Sequence, residues 1–334
     1  MCVMNSERNV IIYMQLIKYT EDIPSELKGA FITIGNFDGV HLGHRHVFQQ
    51  LIQAARAAQR KALLVTFAPH PKMVMHPERR PFYLLTTLEE KIKLLAELQL
   101  AAVILIPFTV QYAATTAEAF IKTFLGENLQ VSKIFIGQDY KFGRGQTGNK
   151  DMLAAWGKKL DFEVEVINAV SCGDSVISST RIRRLILAGD VRQAASLLGR
   201  PYNVSGSVVQ GKGRGSTLGF PTANIEPLKE LLPAKGVYAA LVNLKEKQYQ
   251  AVLNIGVNPT FGDVGLSMEV HLLEFPPENI YGQSLEVFFI ERIREECCFS
   301  RPEELVAQIR RDSSRARAIL GLDTGLPGCD HVAP

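Results

Sequence analysis

At 334 residues the chain is long enough for two domains, taking about 150 residues per domain as a prior. Hydrophobic residues at 46% and charged residues at 21% lie near the soluble globular average, which excludes disorder, collagen and coiled coil as the dominant architecture. Thirty-seven Lys and Arg against 34 Asp and Glu leave a formal charge of +3, too balanced for a nucleic-acid-binding surface, so a bound anion must be held by a local cluster.

No apolar run reaches the ~18 residues of a membrane span. Glu7, Arg8 and Asn9 interrupt the first residues before a signal-peptide core can form. The five cysteines (Cys2, Cys172, Cys297, Cys298, Cys329) have neither disulfide-framework nor zinc-ribbon spacing, which points to a reducing cytoplasm.

Continuous apolar runs at 31–37, 62–67, 102–108, 131–137 and 162–167 predict buried parallel strands. Amphipathic stretches near 45–59, 87–98, 116–125 and 150–159 predict helices between them. This alternation is that of a doubly wound α/β sheet, in which ligands bind beyond the carboxyl ends of strands where strand order reverses. Two further helices are expected, one after Ser178–Thr180 and one capped by Asp190 and stopped at Gly199. From residue 202 short β-rich runs separated by Gly, Pro and Asn predict an antiparallel barrel or sandwich, followed by a helix near 302–320. The expected organisation is a first domain over 14–186, a helical linker over 187–201, a second domain over 202–322 and a flexible tail at 323–334.

The segment from Gly35 to His44 runs out of a strand into a helix start. Free N–H groups and the helix dipole favour an anion there, and His41 and His44 add two imidazoles, an arrangement suited to a phosphate. An isolated HxxH is as readily a pair of surface histidines. A metal held by His41, His44, His46 and His70 is the competing chemistry, but it lacks the acidic partner of an HExxH arrangement. Two other patterns mislead. GRGQTG at 143–148 matches GxGxxG and makes a Rossmann dehydrogenase a rival, but it follows the fourth strand and five residues intervene, so it reads as a loop over the nucleotide. GSVVQGKG at 206–213 lacks the Ser or Thr of a P-loop and leads into another loop.

The stretches Gly35-Asn-Phe-Asp-Gly-Val-His41-Leu-Gly-His44, Thr66-Phe-Ala-Pro-His-Pro71, Gly137-Gln-Asp-Tyr-Lys-Phe-Gly143 and Ile177-Ser-Ser-Thr-Arg-Ile-Arg183 resemble the nucleotidylyltransferase motifs of bacterial FAD synthetases. The resemblance implies that Gly35, Phe37, Asp38, Gly39, His41 and His44 surround ATP phosphates, with Ser179, Thr180, Arg181 and Arg183 holding them from a second helix start. Adenylyl transfer to FMN needs no general base, because the attacking phosphate is already an anion; the task is to align two anions and neutralise the transition state.

In the second half, Gly211 to Asn224 is glycine-rich and ends in Thr222 and Asn224, two apart and so on one side of an extended chain. Such hard oxygen donors suit Mg²⁺ shared with phosphates. Glu269 stands within an apolar strand, where burial can tune it toward a general base; a strand-edge carboxylate facing water is the plainer reading. These segments, with KGVY, the NIG run and MEVHLLEF, resemble riboflavin kinase domains. The resemblance implies a six-stranded barrel, Mg²⁺ held through Thr222 and Asn224, ATP contacts from Lys212 and Arg214, Glu269 activating the ribityl hydroxyl, and a flavin-side loop with Arg294, Glu296 and Phe299.

The chain is thus similar to the bacterial bifunctional riboflavin kinase/FMN adenylyltransferase family. The substrates implied are riboflavin, FMN and ATP, with no nucleic acid or membrane partner. Against the family pattern, Ala68 and Gln138 stand where Glu is common, Ser216 replaces an Arg, and Cys297–Cys298 occupy a usually more polar stretch; none is a residue assigned to chemistry. A kinase with an inactive or differently specific first domain, and a flavin-binding regulatory module without turnover, remain alternatives.

Overall fold

The apolar runs of the first half form a six-stranded sheet, and the alternating runs of the second half close into a six-stranded barrel. The computed structural model describes residues 14–19, 23–173, 175–211, 220–257, 266–276 and 278–321. Met1–Tyr13, Lys212, Arg214, Ser216 and the expected tail at 323–334 lie outside the described residues. The chain divides into two compact units. The first holds residues 14–82 and Thr86–Ile177; the second holds Tyr83–Leu85 and residues 178–321.

The first unit runs β1 (Gln15–Lys18), β2 (Phe31–Ile34), α1 (Leu42–Ala57), β3 (Ala62–Ala68), α2 (Pro71–Met75), α3 (Leu88–Ala96) and β4 (Ala102–Pro107). It continues with α4 (Val110–Ala113), α5 (Ala117–Ala119), β5 (Lys133–Gly137), α6 (Lys150–Leu160), β6 (Glu163–Ile167) and a small ribbon, β7 (Ser171–Cys172) with β8 (Ser175–Val176). Every pairing in the large sheet is parallel, in the order β1-β4-β3-β2-β5-β6. Its central strands, β2 to β5, are buried on both faces. Phe48, Leu51 and Ala55 of α1 and Leu95 of α3 pack on Leu64, Val103 and Phe135. On the other face Ala117, Phe120, Phe124 and Leu153 pack on Ile32, Leu63, Val65 and Ile134. The sheet is therefore doubly wound, as its continuous apolar strands require.

Two departures from the expected elements have physical causes. β1 is a four-residue edge strand with only Ile17 buried, so it carries no apolar run. The helix expected at 116–125 starts as α5 but widens into a π-helical stretch over Phe120–Asn128, ending with Leu129 N–H donating to the Phe124 carbonyl, five residues back, at 3.1 Å. Strand order runs one way from β2 through β3 to β4 and the other way through β5 and β6. The reversal lies between β2 and β5, so the loops after both strands meet at the position where open α/β sheets bind ligands.

The second unit contains α7 (Ser179–Ala188), α8 (Val191–Leu198), β9 (Tyr202–Val209), β10 (Ala223–Pro227), β11 (Gly236–Leu244), β12 (Lys247–Val257), β13 (Leu266–Leu272), β14 (Ser284–Arg294) and α9 (Pro302–Gly321). The Ser178 hydroxyl caps α7, and the Asp190 carboxylate caps α8 by accepting from Gln193 N–H at 3.0 Å. Gly199, left-handed at φ 73°, ends α8. The barrel closes in the order β10-β13-β12-β11-β14-β9 with every pair antiparallel. Gly206, the first glycine of the P-loop lookalike, pairs within β9 against Pro227 and Leu285, so the pattern opens in a strand. A Cβ there would strike the Glu226 carbonyl, which accounts for the glycine. Ala316 and Ile319 of α9 cover Val237, Ala239 and Val252 on the barrel's outer face. Among the described cysteines, Cys297 and Cys298 are exposed and free, whereas Cys172 is disulfide-bonded.

Leu51 is fully buried between α1 and the sheet. Leu51→Ala is expected to destabilise the first unit by about 2–5 kcal/mol, read as a lower midpoint of urea unfolding.

Candidate active sites

The first site is built by the turn from β2 into α1. Phe37 (φ 48°), Gly39 (φ 89°) and Val40 (φ 44°) all adopt left-handed backbone, a costly conformation for the two that are not glycine. Hydrogen bonds hold it from behind. The Lys91 ammonium donates to the Asn36 carbonyl at 2.7 Å, and the Thr66 hydroxyl donates to the same oxygen at 3.3 Å. Asp38 is buried, its carboxylate accepting from the Thr86 N–H at 3.1 Å and hydroxyl at 3.2 Å, while the Thr86 oxygen accepts from Gly39 N–H at 3.1 Å.

His41 caps α1: its Nδ1 accepts from His44 N–H at 3.3 Å. In a neutral ring with Nδ1 accepting, the proton sits on Nε2, which is then a donor. The His41 and His44 rings stack with centroids 3.5 Å apart, and Phe37 meets His44 edge-on at 5.3 Å. Phe37 is therefore buried support for His44. His70 and His76 have separate uses. His70 caps α2 by accepting from Lys72 N–H at 3.2 Å, and His76 pairs with Glu78 at 3.6 Å on the surface.

Beside this loop lies a cavity of about 620 Å³ whose walls come from five separate segments, so that only the fold assembles it. Gly35 and Asn36 line it with Phe67, Phe108, Tyr112, Phe120, Tyr140 and Phe142. Tyr140 stacks on Phe142 at 5.6 Å, and Phe67 meets Phe108 edge-on at 5.7 Å. Burial pushes the Tyr112 and Tyr140 hydroxyls well above the ordinary phenol range, so both stay protonated donors. Asn36 Oδ1 and Tyr112 Oη are buried without a hydrogen-bond partner among the described residues. The cavity thus presents flat aromatic walls suited to a planar ligand. Gly143, Gly145 and Gln146 of the GxGxxG lookalike also line it, while α6 starts only at Lys150 under an Asn149 cap. Gln138 bridges Asn168 and Lys150 at 3.2 and 3.0 Å.

Ser179, Thr180, Arg181 and Arg183 stand in the first turns of α7, in the second unit. Arg181 N–H donates to the Ser178 hydroxyl at 3.3 Å, and Arg183 Nε donates to the Tyr83 carbonyl at 2.6 Å.

The second site follows from barrel register. Asn224 of β10 lies opposite Glu269 of β13, which lies opposite Asn254 of β12. Glu269 therefore sits between two amides, and Asn254 was not anticipated. Thr222 is exposed just before β10. A Cβ on Gly256 would fall on the Glu296 carboxylate and beside Asn254 Nδ2, so the NIG glycine makes room for an acidic side chain. Arg294, at the end of β14, is held by Asp312 of α9 through Nε at 3.1 Å and Nη2 at 2.8 Å. Gln308 adds a bond to the same carboxylate at 2.9 Å, and the Arg294 guanidinium lies 5.9 Å from the Phe299 ring.

Comparison with known proteins is consistent across both units. The FAD synthetase family model matches residues 23–181 and the Riboflavin kinase family model matches residues 198–320. A bifunctional riboflavin kinase/FMN adenylyltransferase of Escherichia coli (strain K12) is 38% identical over 296 residues, covering 88% of this chain and 94% of that protein. The chain belongs to the bifunctional riboflavin kinase/FMN adenylyltransferase family. A relative so named from Haemophilus influenzae is 38% identical over 91% of this chain and 99% of its own length. A solved structure from Streptococcus pneumoniae named as a macrolide-efflux protein is 31% identical with a TM-score of 0.82, covering 91% of this chain and 99% of that one. Its name describes transport, whereas among the described residues of this family member no helix is long and apolar enough to cross a membrane.

Arg294 and Asp312 are mostly buried, with side-chain exposures of 22% and 5%. In this family member Asp312→Ala is expected to cost on the order of 3 kcal/mol by leaving the guanidinium uncompensated, measured as a lower unfolding midpoint of the barrel.

Proposed function

We infer that the chain carries out both reactions for which its family is named: ATP phosphorylates riboflavin to FMN in the barrel, and FMN is adenylylated to FAD with release of pyrophosphate in the parallel-sheet unit. The observation that carries this reading is that each unit contains its own chemically distinct site. One is a helix start with stacked imidazoles beside an aromatic cavity; the other is a carboxylate flanked by amides on a barrel face.

In the first site the FMN phosphate oxygen attacks the α-phosphorus of ATP, and the bond to the bridging oxygen breaks as pyrophosphate leaves. The α1 N-terminus, His41 Nε2–H and His44 stabilise charge on the α-phosphate, with Gly35 and Gly39 allowing close approach. The cavity's six aromatic rings suit a flat tricyclic flavin. In the second unit, a capped helix start with a guanidinium in its first turn favours phosphate, which supports a nucleotide-binding role for Ser179, Thr180 and Arg181.

In the second site Glu269 accepts the proton of the ribityl 5′-hydroxyl as that oxygen attacks the γ-phosphorus, and ADP leaves. The Thr222 hydroxyl and Asn224 amide oxygen are hard, neutral donors that fit Mg²⁺ shared with nucleotide phosphates, and the bound ion supplies neutralisation of phosphoryl charge. Lys212 and Arg214 are assigned to ATP, and Glu296 and Phe299 to the flavin side of a loop that Arg294 anchors. Both reactions are placed in the cytoplasm, where ATP is available.

Incubating the purified chain with riboflavin, ATP and Mg²⁺ should yield FMN and then FAD on chromatography. No conversion at all would leave a flavin-binding module; FMN without FAD would sink the adenylyl-transfer assignment. His44→Ala is expected to slow FAD formation by about 100-fold or more while FMN accumulates. Glu269→Gln should slow FMN formation by about 10²–10⁴-fold yet still convert supplied FMN to FAD. Chelation with EDTA should stop FMN formation, and added Mg²⁺ should restore it.

A further inference from the structure

Lys91 is 5% exposed, on the first turns of α3, and no motif of the sequence drew attention to it. An ammonium taken out of water is costly, and a Leu or Met would fill the same space without that cost. What Lys91 supplies is therefore polar. Its Nζ holds the Asn36 carbonyl at 2.7 Å, and because the peptide is trans the Phe37 N–H faces away from Lys91. The second contribution is charge. Asp38 is buried in the same loop and is committed to Thr86, which in turn holds Gly39 N–H. Burial pushes the Lys91 ammonium down, and the nearby Asp38 carboxylate acts in the opposite direction. A carboxylate that shapes an anion-binding loop would by itself repel the phosphates the loop is to hold.

We propose that Lys91 is a positioning residue for adenylyl transfer: it cancels the charge of Asp38 from behind the loop and anchors the Asn36 carbonyl, so that the left-handed turn at Phe37–Val40 can receive ATP phosphates. This rests on the reading of Gly35–His44 as the ATP site of FAD formation. Lys91 touches neither substrate in this scheme. Its effect passes through the loop, so it falls on ATP binding in one reaction and leaves the other reaction alone.

The test is steady-state kinetics of the full chain, with FAD formation from FMN at varied ATP and FMN formation from riboflavin measured separately. Lys91→Met should raise the ATP KM of FAD formation about tenfold, with kcat changed less and FMN formation unchanged. Lys91→Arg, which keeps the charge, should stay within about threefold of the parent. Adding Asp38→Asn to Lys91→Met should recover part of the ATP KM, because the carboxylate charge is gone while the amide oxygen can still accept from Thr86. An unchanged ATP KM in Lys91→Met overturns the assignment. Equal loss of both reactions also overturns it and makes Lys91 a fold residue, and no recovery in the double variant overturns the charge-cancelling role. His44→Ala run in parallel separates the two levels. If it keeps full FAD formation, the phosphate-loop reading itself fails. If it loses FAD formation while Lys91→Met is unaltered, only the Lys91 assignment fails.

Discussion

The reversal of strand order between β2 and β5 is the constraint on which the first site depends. Parallel strands must be joined by crossovers, and where successive crossovers leave in opposite directions no helix covers the gap. The chain leaving β2 enters that gap and has to turn sharply into α1, which forces left-handed backbone at Phe37 and Val40. Side chains from β3 and α3 and from Thr86 then hold the turn. The same gap leaves room beyond β5 for Tyr140 and Phe142 to wall the cavity. Loop strain, helix start and cavity are consequences of one topological choice.

The barrel uses a different device. Antiparallel register is fixed by hydrogen bonding, and a one-residue slip would send every second side chain to the other face. Asn224, Glu269 and Asn254 are aligned by that register with no dedicated loop. Arg294 performs a related service at the end of β14. Its paired hydrogen bonds to Asp312 join the last strand to α9 and fix where the following loop departs.

The order of elements was legible in the sequence because period and capping are local properties. Ser178, Asp190 and Gly199 do in the structure what such residues do in any helix. His41 and His44 were legible because helix start and ligand chemistry fall within four residues. Lys91, Thr86 and the aromatic cavity were not, since each acts across 47 or more positions or through several segments that only the fold assembles. Asn254 was hidden for a simpler reason: an amide in a strand has no pattern until its neighbour across the ladder is known. Both lookalike glycine patterns show the reverse case. Their spacing matched a phosphate loop, but one lies partly in β9 and the other lines a cavity well before α6 starts.

Tyr83–Leu85 group with the second unit although the chain on either side belongs to the first. They are held through main-chain carbonyls: Arg183 donates to Tyr83 and the buried Lys229 donates to Leu85 at 3.2 Å. Leu85 adds a fully buried side chain to these carbonyl anchors. Connectivity is therefore interleaved, and a single cut near residue 177 does not divide the chain into two whole parts. A carboxy-terminal fragment would start life with Lys229 missing the acceptor at Leu85, and an amino-terminal fragment would carry that acceptor away unused. Such a cut would leave the buried Lys229 ammonium its bond to the Asn203 carbonyl but take away the one to Leu85.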